Sequence, residues 1–373
     1  MGCANYHARI RFHPNKDGSP SPSRNWLLRV PRVTSFAVGF PEELVEYLVR
    51  SEFATLKFLE TTSVPAPKAF AYGISSRSNS DNRNGEREDY GVGVSFLLME
   101  ELPGRPWMGN SGDSVTEEER KKIWRGLGDI LAELERHPFP KAGSLCLQGS
   151  SIEVSAVASD RFVVLTPSGP FDTSSSYYTA FAEQYLALIA DGQLYTEYPV
   201  DAYLVYRFSK DNAGQLAQED TGTRGPENFF LKHVDDKGDH LLVDEDLNIT
   251  GIIDWQMARV VPRREAFGPS LVTADMNALC GGSVSLSIDD VILADALREK
   301  GSHELAGCMA DEKVRRFFWG LALELEWSYA LPLANAILKV FGVDQDWATW
   351  KEMALREYEG DERLKALVHR SGH

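Results

Sequence analysis

The chain has 373 residues, 43% hydrophobic and 25% charged, enough for two domains or one bilobal unit with a cleft. A formal net charge of -16 and a pI near 5.0 weigh against a nucleic-acid binder, which needs a basic face, and leave cationic or neutral small molecules as partners. Four scattered cysteines without a CxxC pair argue against a disulfide framework or zinc site, and no apolar run is long enough to span a bilayer.

The amino terminus, MGCANYHARIRF, lacks the apolar core of a signal peptide. Gly2-Cys3 approaches an acylation signal, but Tyr6 stands where that pattern wants Ser or Thr, so a cytoplasmic location is expected. Residues 7–12 and 25–30 alternate as strands do, joined by a polar turn with Asp17-Gly18 and Pro20. A helix is predicted over 41–60, where Val45, Leu48, Phe53, Leu56 and Leu59 recur at helical spacing. Lys68–Tyr72 and Val94–Met99 are further strands, and between them the polar stretch 75–89 is expected to be a surface loop. Leu102-Pro103-Gly104 breaks the pattern. It sets the expected boundary between a small sheet-rich nucleotide-binding lobe (1–103) and a larger, mainly helical catalytic and substrate lobe (104–373).

Beyond that boundary, Thr116 and Glu119 form a capping box ahead of Ile123, Leu127, Ile130 and Leu134. Helices are predicted over Tyr178–Ala190 and Val314–Leu333, the latter apolar nearly all round. Leu241–Val243 and Ile249–Ile253 predict a hairpin turning at Glu245–Asn248. The aromatics Tyr177, Tyr178, Tyr195, Tyr198 and Tyr203 are expected to pack in a core rather than line a pocket.

The chemistry concentrates between His233 and Trp255. Kinase catalytic loops read H-x-D-x-x-x-x-N, followed by a hairpin and an Asp that holds magnesium. His233 and Asp235 keep that spacing, and Asp254 follows the hairpin. One carboxylate accepts the attacking hydroxyl's proton, the second holds a metal on the phosphates, and the hairpin keeps them near each other. Lys237, two residues after Asp235, is placed to reach the transferring phosphoryl group. The competing reading of Asp235–Asp239 alone is a solvated charged loop.

A second pair is legible without the motif. Glu52 lies inside the apolar stripe of its helix, and a carboxylate on a buried face is costly unless paired. Arg29 shares a strand face with Leu27, so an inward Arg29–Glu52 ion pair accounts for both, either as the strand-to-helix pair of a kinase or as a structural salt bridge.

The segment KHVDDKGDHLLVDEDLNITGIIDWQMA resembles the H-G-D-x-x-x-x-N-[IL]-L-V-D … G-[IV]-I-D-W-E signature of the aminoglycoside phosphotransferase family, above all its branch in filamentous fungi. NWLLRVPR resembles the strand that carries the phosphate-contacting cation, RSEFATLKFLE the helix paired with it, FLLMEELPGRPW the hinge, and GCANY the glycine-led nucleotide loop. The resemblance implies an α+β, bilobal, protein-kinase-like fold and an ATP- and Mg2+-dependent phosphotransferase acting on a small-molecule acceptor, an endogenous metabolite. It implies catalytic roles for Asp235, Lys237 and His233, nucleotide contacts from Asn5, Arg29, Glu52, Met99 and Glu101, and metal ligation by Asp254 and His240. Two departures bear on this. Arg29 replaces Lys, and His240 replaces the second metal-binding Asn, where a nitrogen ligand suits Mn2+ better than Mg2+. A non-catalytic kinase-fold binder, or one turned to other chemistry, stands beside the first reading.

Overall fold

The computed structural model describes residues 5–12, 25–32, 42–75, 92–107, 115–149, 151–159, 164–220 and 227–371. The expected Asp17-Gly18 turn, Gly2 to Ala4 of the nucleotide loop and all of the polar stretch except Ser75 lie outside those residues. The described chain forms two compact units, one of residues 1–139, 143–170 and 230–260, the other of 140–142, 171–229 and 261–373.

The first unit starts with strands β1 (Asn5–Ile10) and β2 (Trp26–Pro31), helix α1 (Glu42–Leu59), then β3 (Ala69–Gly73) and β4 (Phe96–Glu100). The four strands form one antiparallel sheet in the order β1-β2-β4-β3. Arg29 pairs His7 on one side and Leu97 on the other. The buried face of α1 carries Leu44, Leu48, Val49, Leu56 and Leu59, and Glu52 is buried with them. After β5 (Arg105–Pro106) comes α2 (Glu117–Glu135), whose N-terminus is closed by the Thr116–Glu119 capping box.

Two short antiparallel ribbons follow, β6 (Ser144–Gln148) with β7 (Ser151–Ser155) and β8 (Val157–Ser159) with β9 (Val164–Ser168). They depart from the mainly helical expectation for this stretch. Ile152 and Val154 alternate with polar neighbours, and Gly149 takes the left-handed φ of 61° that the tight β6–β7 turn needs. Later in the chain, β10 (Phe229–Lys232) leads into the His233 loop. β11 (Leu241–Val243) and β12 (Ile249–Ile252) form the expected hairpin, to which β5 adds a third strand, and β13 (Arg259–Pro262) leaves it.

The second unit is helical. It holds α3 (Ser174–Ala190), α4 (Pro199–Asp220), α5 (Arg263–Phe267), α6 (Met276–Cys280), α7 (Ile288–Glu299), α8 (His303–Cys308), α9 (Lys313–Trp319), α10 (Trp327–Val340), α11 (Trp347–Glu357) and α12 (Glu362–Arg370). The five tyrosines named above are all buried in it. The single helix expected over Val314–Leu333 is a correction, because it is two helices, α9 and α10, separated at Gly320. Gly320 has φ 54°, and a Cβ there would lie 2.4 Å from the Tyr206 hydroxyl; Ala322 and Leu323 follow with positive φ. The close approach of Tyr206 to Gly320, with the left-handed backbone at 320, 322 and 323, accompanies the break.

Taken with its element order, the chain has the expected α+β, kinase-like fold: a small antiparallel sheet with one long helix, followed by many helices.

Candidate active site

All ten residues singled out from the sequence fall in the first unit. Seven of them, Arg29, Met99, Glu101, Asp235, Lys237, His240 and Asp254, line one cavity of about 710 Å³, whereas Asn5, Glu52 and His233 do not line it. Leu27, Leu102, Leu242 and Ile253 supply apolar wall. The cavity is thus apolar along one stretch and carries cations (Arg9, Arg29, Lys237) and carboxylates (Glu100, Glu101, Asp235, Asp239, Asp254) along the rest.

Arg29 is the hub of the charged end and is only 3% exposed. Its Nη1 donates to Glu52, and its Nη2 donates to Asp254 and, at 2.9 Å, to Oε1 of Gln256. The strand-to-helix pair is therefore present, and the same guanidinium also reaches a residue 225 positions away. The two carboxylates share this cation unequally. Arg29 holds Asp254 below the usual carboxylate range. Burial pushes Glu52 up to about 7, against the pull of Arg29. Asn5, also buried, lies 3.0 Å from Gln256 Oε1; with its amide oxygen turned to the guanidinium it accepts from Nη2 at 2.6 Å and Nε at 3.0 Å.

Asp254 adopts a left-handed backbone (φ 70°, ψ 49°) at the start of the short turn Trp255–Met257. That conformation is uncommon outside glycine, and Asp is one of the residues that tolerates it. Its side chain is 49% exposed. Asp235 lies on the same cavity, 3.1 Å from Lys237 Nζ. Burial draws the Lys237 ammonium down, and Asp235, Asp239 and Asp254 together hold it above its ordinary range.

His233 and His240 hold the loop. His233 donates from Nε2 to the Ile253 carbonyl at 2.9 Å, stacks on His240 at 4.2 Å between ring centres, and is absent from the cavity lining. The Ile253 N–H donates to the His240 carbonyl at 2.9 Å, so the residue before Asp254 is tied to the loop that carries Asp235. His240 is buried, its Nδ1 accepts from the Gly238 N–H at 3.3 Å, and Gly238 takes φ 107° to present it. Burial, with His233 and Lys237 adding to it, drives His240 well below the usual imidazole range, so its ring is neutral. At the hinge, Met99 is buried, while the Glu101 carboxylate pairs with Arg9 and its N–H donates to the Asn25 carbonyl at 3.0 Å.

Residues 19–278 match the model of the phosphotransferase enzyme family (APH). The chain belongs to that family. Among solved structures, the gentamicin complex of APH(2″)-IIa is 13% identical, with 84% of this chain and 85% of that chain covered and a TM-score of 0.45. The ADP-bound aminoglycoside phosphotransferase APH(2″)-Ib is 12% identical over 91% and 95% of the two chains, TM-score 0.45. Macrolide 2′-phosphotransferase MphH from Brachybacterium faecium is 16% identical over 90% and 93%, TM-score 0.39. No curated protein matches the chain.

For a phosphotransferase, the residues present fit a nucleotide, with apolar walls suited to a base and Arg29 and Lys237 suited to phosphates. They fit magnesium through Asp254 alone. Among the described residues no group of three or more His, Cys, Asp or Glu side chains converges to hold a metal, but Mg2+ commonly takes one or two carboxylates and completes its shell from substrate phosphates and water. No helix among the described residues is long and apolar enough to cross a membrane.

Gln256, which accepts from Arg29, is a residue of this cluster that sequence reasoning passed over. Its signal was an amide two residues after Asp254 where the family signature ends in Glu, and only the fold shows that it faces Arg29. Leu27, Leu242 and Ile253 were legible as strand residues but not as cavity wall.

Proposed function

We propose that the chain is an ATP- and Mg2+-dependent phosphotransferase that phosphorylates a hydroxyl of a small-molecule acceptor, an endogenous metabolite. The observation that carries this is the convergence of Asp235, Lys237, Arg29 and Asp254 on one cavity of a phosphotransferase-family chain. Met99 and Leu102 would pack against the base, and Arg29, held by Glu52, would meet the phosphates. Asp235 takes the proton as the acceptor oxygen bonds to the γ-phosphorus; the bond to ADP breaks, and ADP carries the charge away. Lys237 offsets charge on the transferring group. Asp254 would hold a magnesium ion, which would supply charge neutralisation on the phosphates. His233 and His240 are positioning residues, which keep Asp235 and Asp254 on one wall.

Isothermal titration of ADP and ATP with and without Mg2+, followed by ADP release over a panel of hydroxylated metabolites, tests this. Magnesium-dependent binding and acceptor-dependent ADP release are expected. Binding with no transfer to any acceptor supports the second reading, a nucleotide-binding protein without transfer. That reading is favoured by His240 in the Asn position with its Nδ1 already engaged, and by Asp254 held on Arg29.

A further inference from the structure

Two positions at which this chain departs from its family signature touch each other. Arg29 stands where kinases carry Lys, Gln256 stands where the signature ends in Asp-Trp-Glu, and Gln256 Oε1 accepts from Arg29 Nη2 at 2.9 Å. A guanidinium offers five N–H donors in a rigid fork, whereas an ammonium offers three on a swivelling point. Glu52 and Asp254 each accept one of the five. Arg29 itself is almost fully buried, and a buried donor left unmet costs free energy, so neutral acceptors serve the rest. Gln256 supplies one, and the Asn5 amide oxygen, when turned to the guanidinium, supplies another. A carboxylate at 256 also accepts, but it puts a third negative charge around one buried cation at the place where anionic phosphates arrive.

We propose that Gln256 is the positioning residue of Arg29, and that the two act as a matched unit in which a neutral amide orients a guanidinium toward phosphate while leaving its charge available. This rests on the nucleotide reading above. Gln256 does not touch the reacting atoms; it sets where Arg29 Nη2 points and how much of its charge is already spent.

The test uses the full chain and ADP with Mg2+ as the probe. Affinity is measured by calorimetry for wild type, Gln256→Glu, Gln256→Met, Arg29→Lys and the double variant Arg29→Lys/Gln256→Glu, with the unfolding midpoint of each. Gln256→Glu and Arg29→Lys should each weaken ADP about tenfold, and the double variant should bind at least fivefold tighter than the product of the two losses predicts, the non-additivity expected of contacting residues. Losses that simply multiply, to within twofold, overturn the proposal. So does a Gln256→Met protein that melts early yet binds ADP like wild type when folded, because that is the behaviour of a merely structural amide. Should wild type bind neither ADP nor ATP, the nucleotide reading fails, and positioning is then read from the protein alone. In arginine-labelled protein, slowly exchanging Arg29 guanidinium protons, assigned by their loss in Arg29→Lys, should vanish in Gln256→Met. Their persistence refutes the role of Gln256.

Discussion

Two buried arginines in this protein have nearly the same partners and opposite surroundings. Arg29, in the first unit, bridges Glu52 and Asp254; Arg315, in the second, bridges Asp290 and Glu312. Around Arg315 everything is sealed. It donates to both oxygens of Asp290 at 3.1 and 2.7 Å, to Glu312 Oε2 at 3.1 Å and to the Ser270 carbonyl at 2.8 Å, while Asp290 also accepts from Thr273 at 2.6 Å. Asp290 is fully buried, and it closes the N-terminus of α7 through a capping box with Ser287. Around Arg29 one acceptor is open, since half of the Asp254 side chain is exposed and it lines the cavity. A buried ion pair is weak evidence for stability by itself. What separates a strut from a binding site is whether one of its charges still has somewhere to face.

The sharpest way to break this comparison lies at the open end. Asp235→Asn removes the proton acceptor and should lower the transfer rate by about 10²- to 10⁴-fold, with little change in the unfolding midpoint. A loss under about tenfold, on the scale general-base catalysis supplies, removes Asp235 from the chemistry.

Removing the two arginines should then show the contrast directly. Arg315→Ala takes the cation from fully buried Asp290 and leaves Glu312 only Arg316, at 3.8 Å; it should cost about 3–5 kcal/mol in urea unfolding, without changing ADP affinity of the folded protein. Arg29→Ala should cost less stability, because Glu52 can take up a proton near neutral pH and Asp254 can turn to water, while ADP binding falls at least about tenfold, as losing a charge-assisted contact to phosphate implies. Equal losses of stability and equal effects on ADP would erase the difference between the two arginines.

The pH dependence sharpens it further. Glu52 titrates near 7 when folded and near its ordinary 4.5 when unfolded, so between these values the folded state binds more protons. Its contribution to stability is therefore complete below about pH 4.5 and is lost as pH rises through about 7. Urea unfolding across this window should show wild type weakening with rising pH and Glu52→Gln staying flatter. An equally steep variant would assign the slope to another group.

The smallest effect concerns His240. The sequence suggests a metal ligand whose imidazole protonates near its ordinary 6.5, and which therefore loses metal-dependent nucleotide binding as pH falls through that value. Burial drives the ring well below that range, so no inflection is expected near pH 6.5 in Mg2+-dependent ADP binding, nor in the His240→Asn protein. A clear step in wild type that disappears in His240→Asn would restore His240 as the titrating group.

The sequence by itself determined the parts that depend on neighbours along the chain. Strand alternation, the stripe of α1, the Thr116–Glu119 cap and the β11–β12 hairpin are written in local spacing, because backbone geometry repeats every two or 3.6 residues. The Arg29–Glu52 pair was legible for the same reason, since a carboxylate on an apolar helical face demands a cation. Tertiary structure alone decided the rest. The break at Gly320 accompanies the approach of the Tyr206 hydroxyl, which no periodicity in 314–333 records. That Arg29 also takes Asp254, and that Gln256 and Asn5 complete its shell, depends on segments 225 to 251 residues apart being packed together. Their hydrogen bonds are short-ranged and directional, so they exist only once the fold has placed donor and acceptor within about 3 Å of each other.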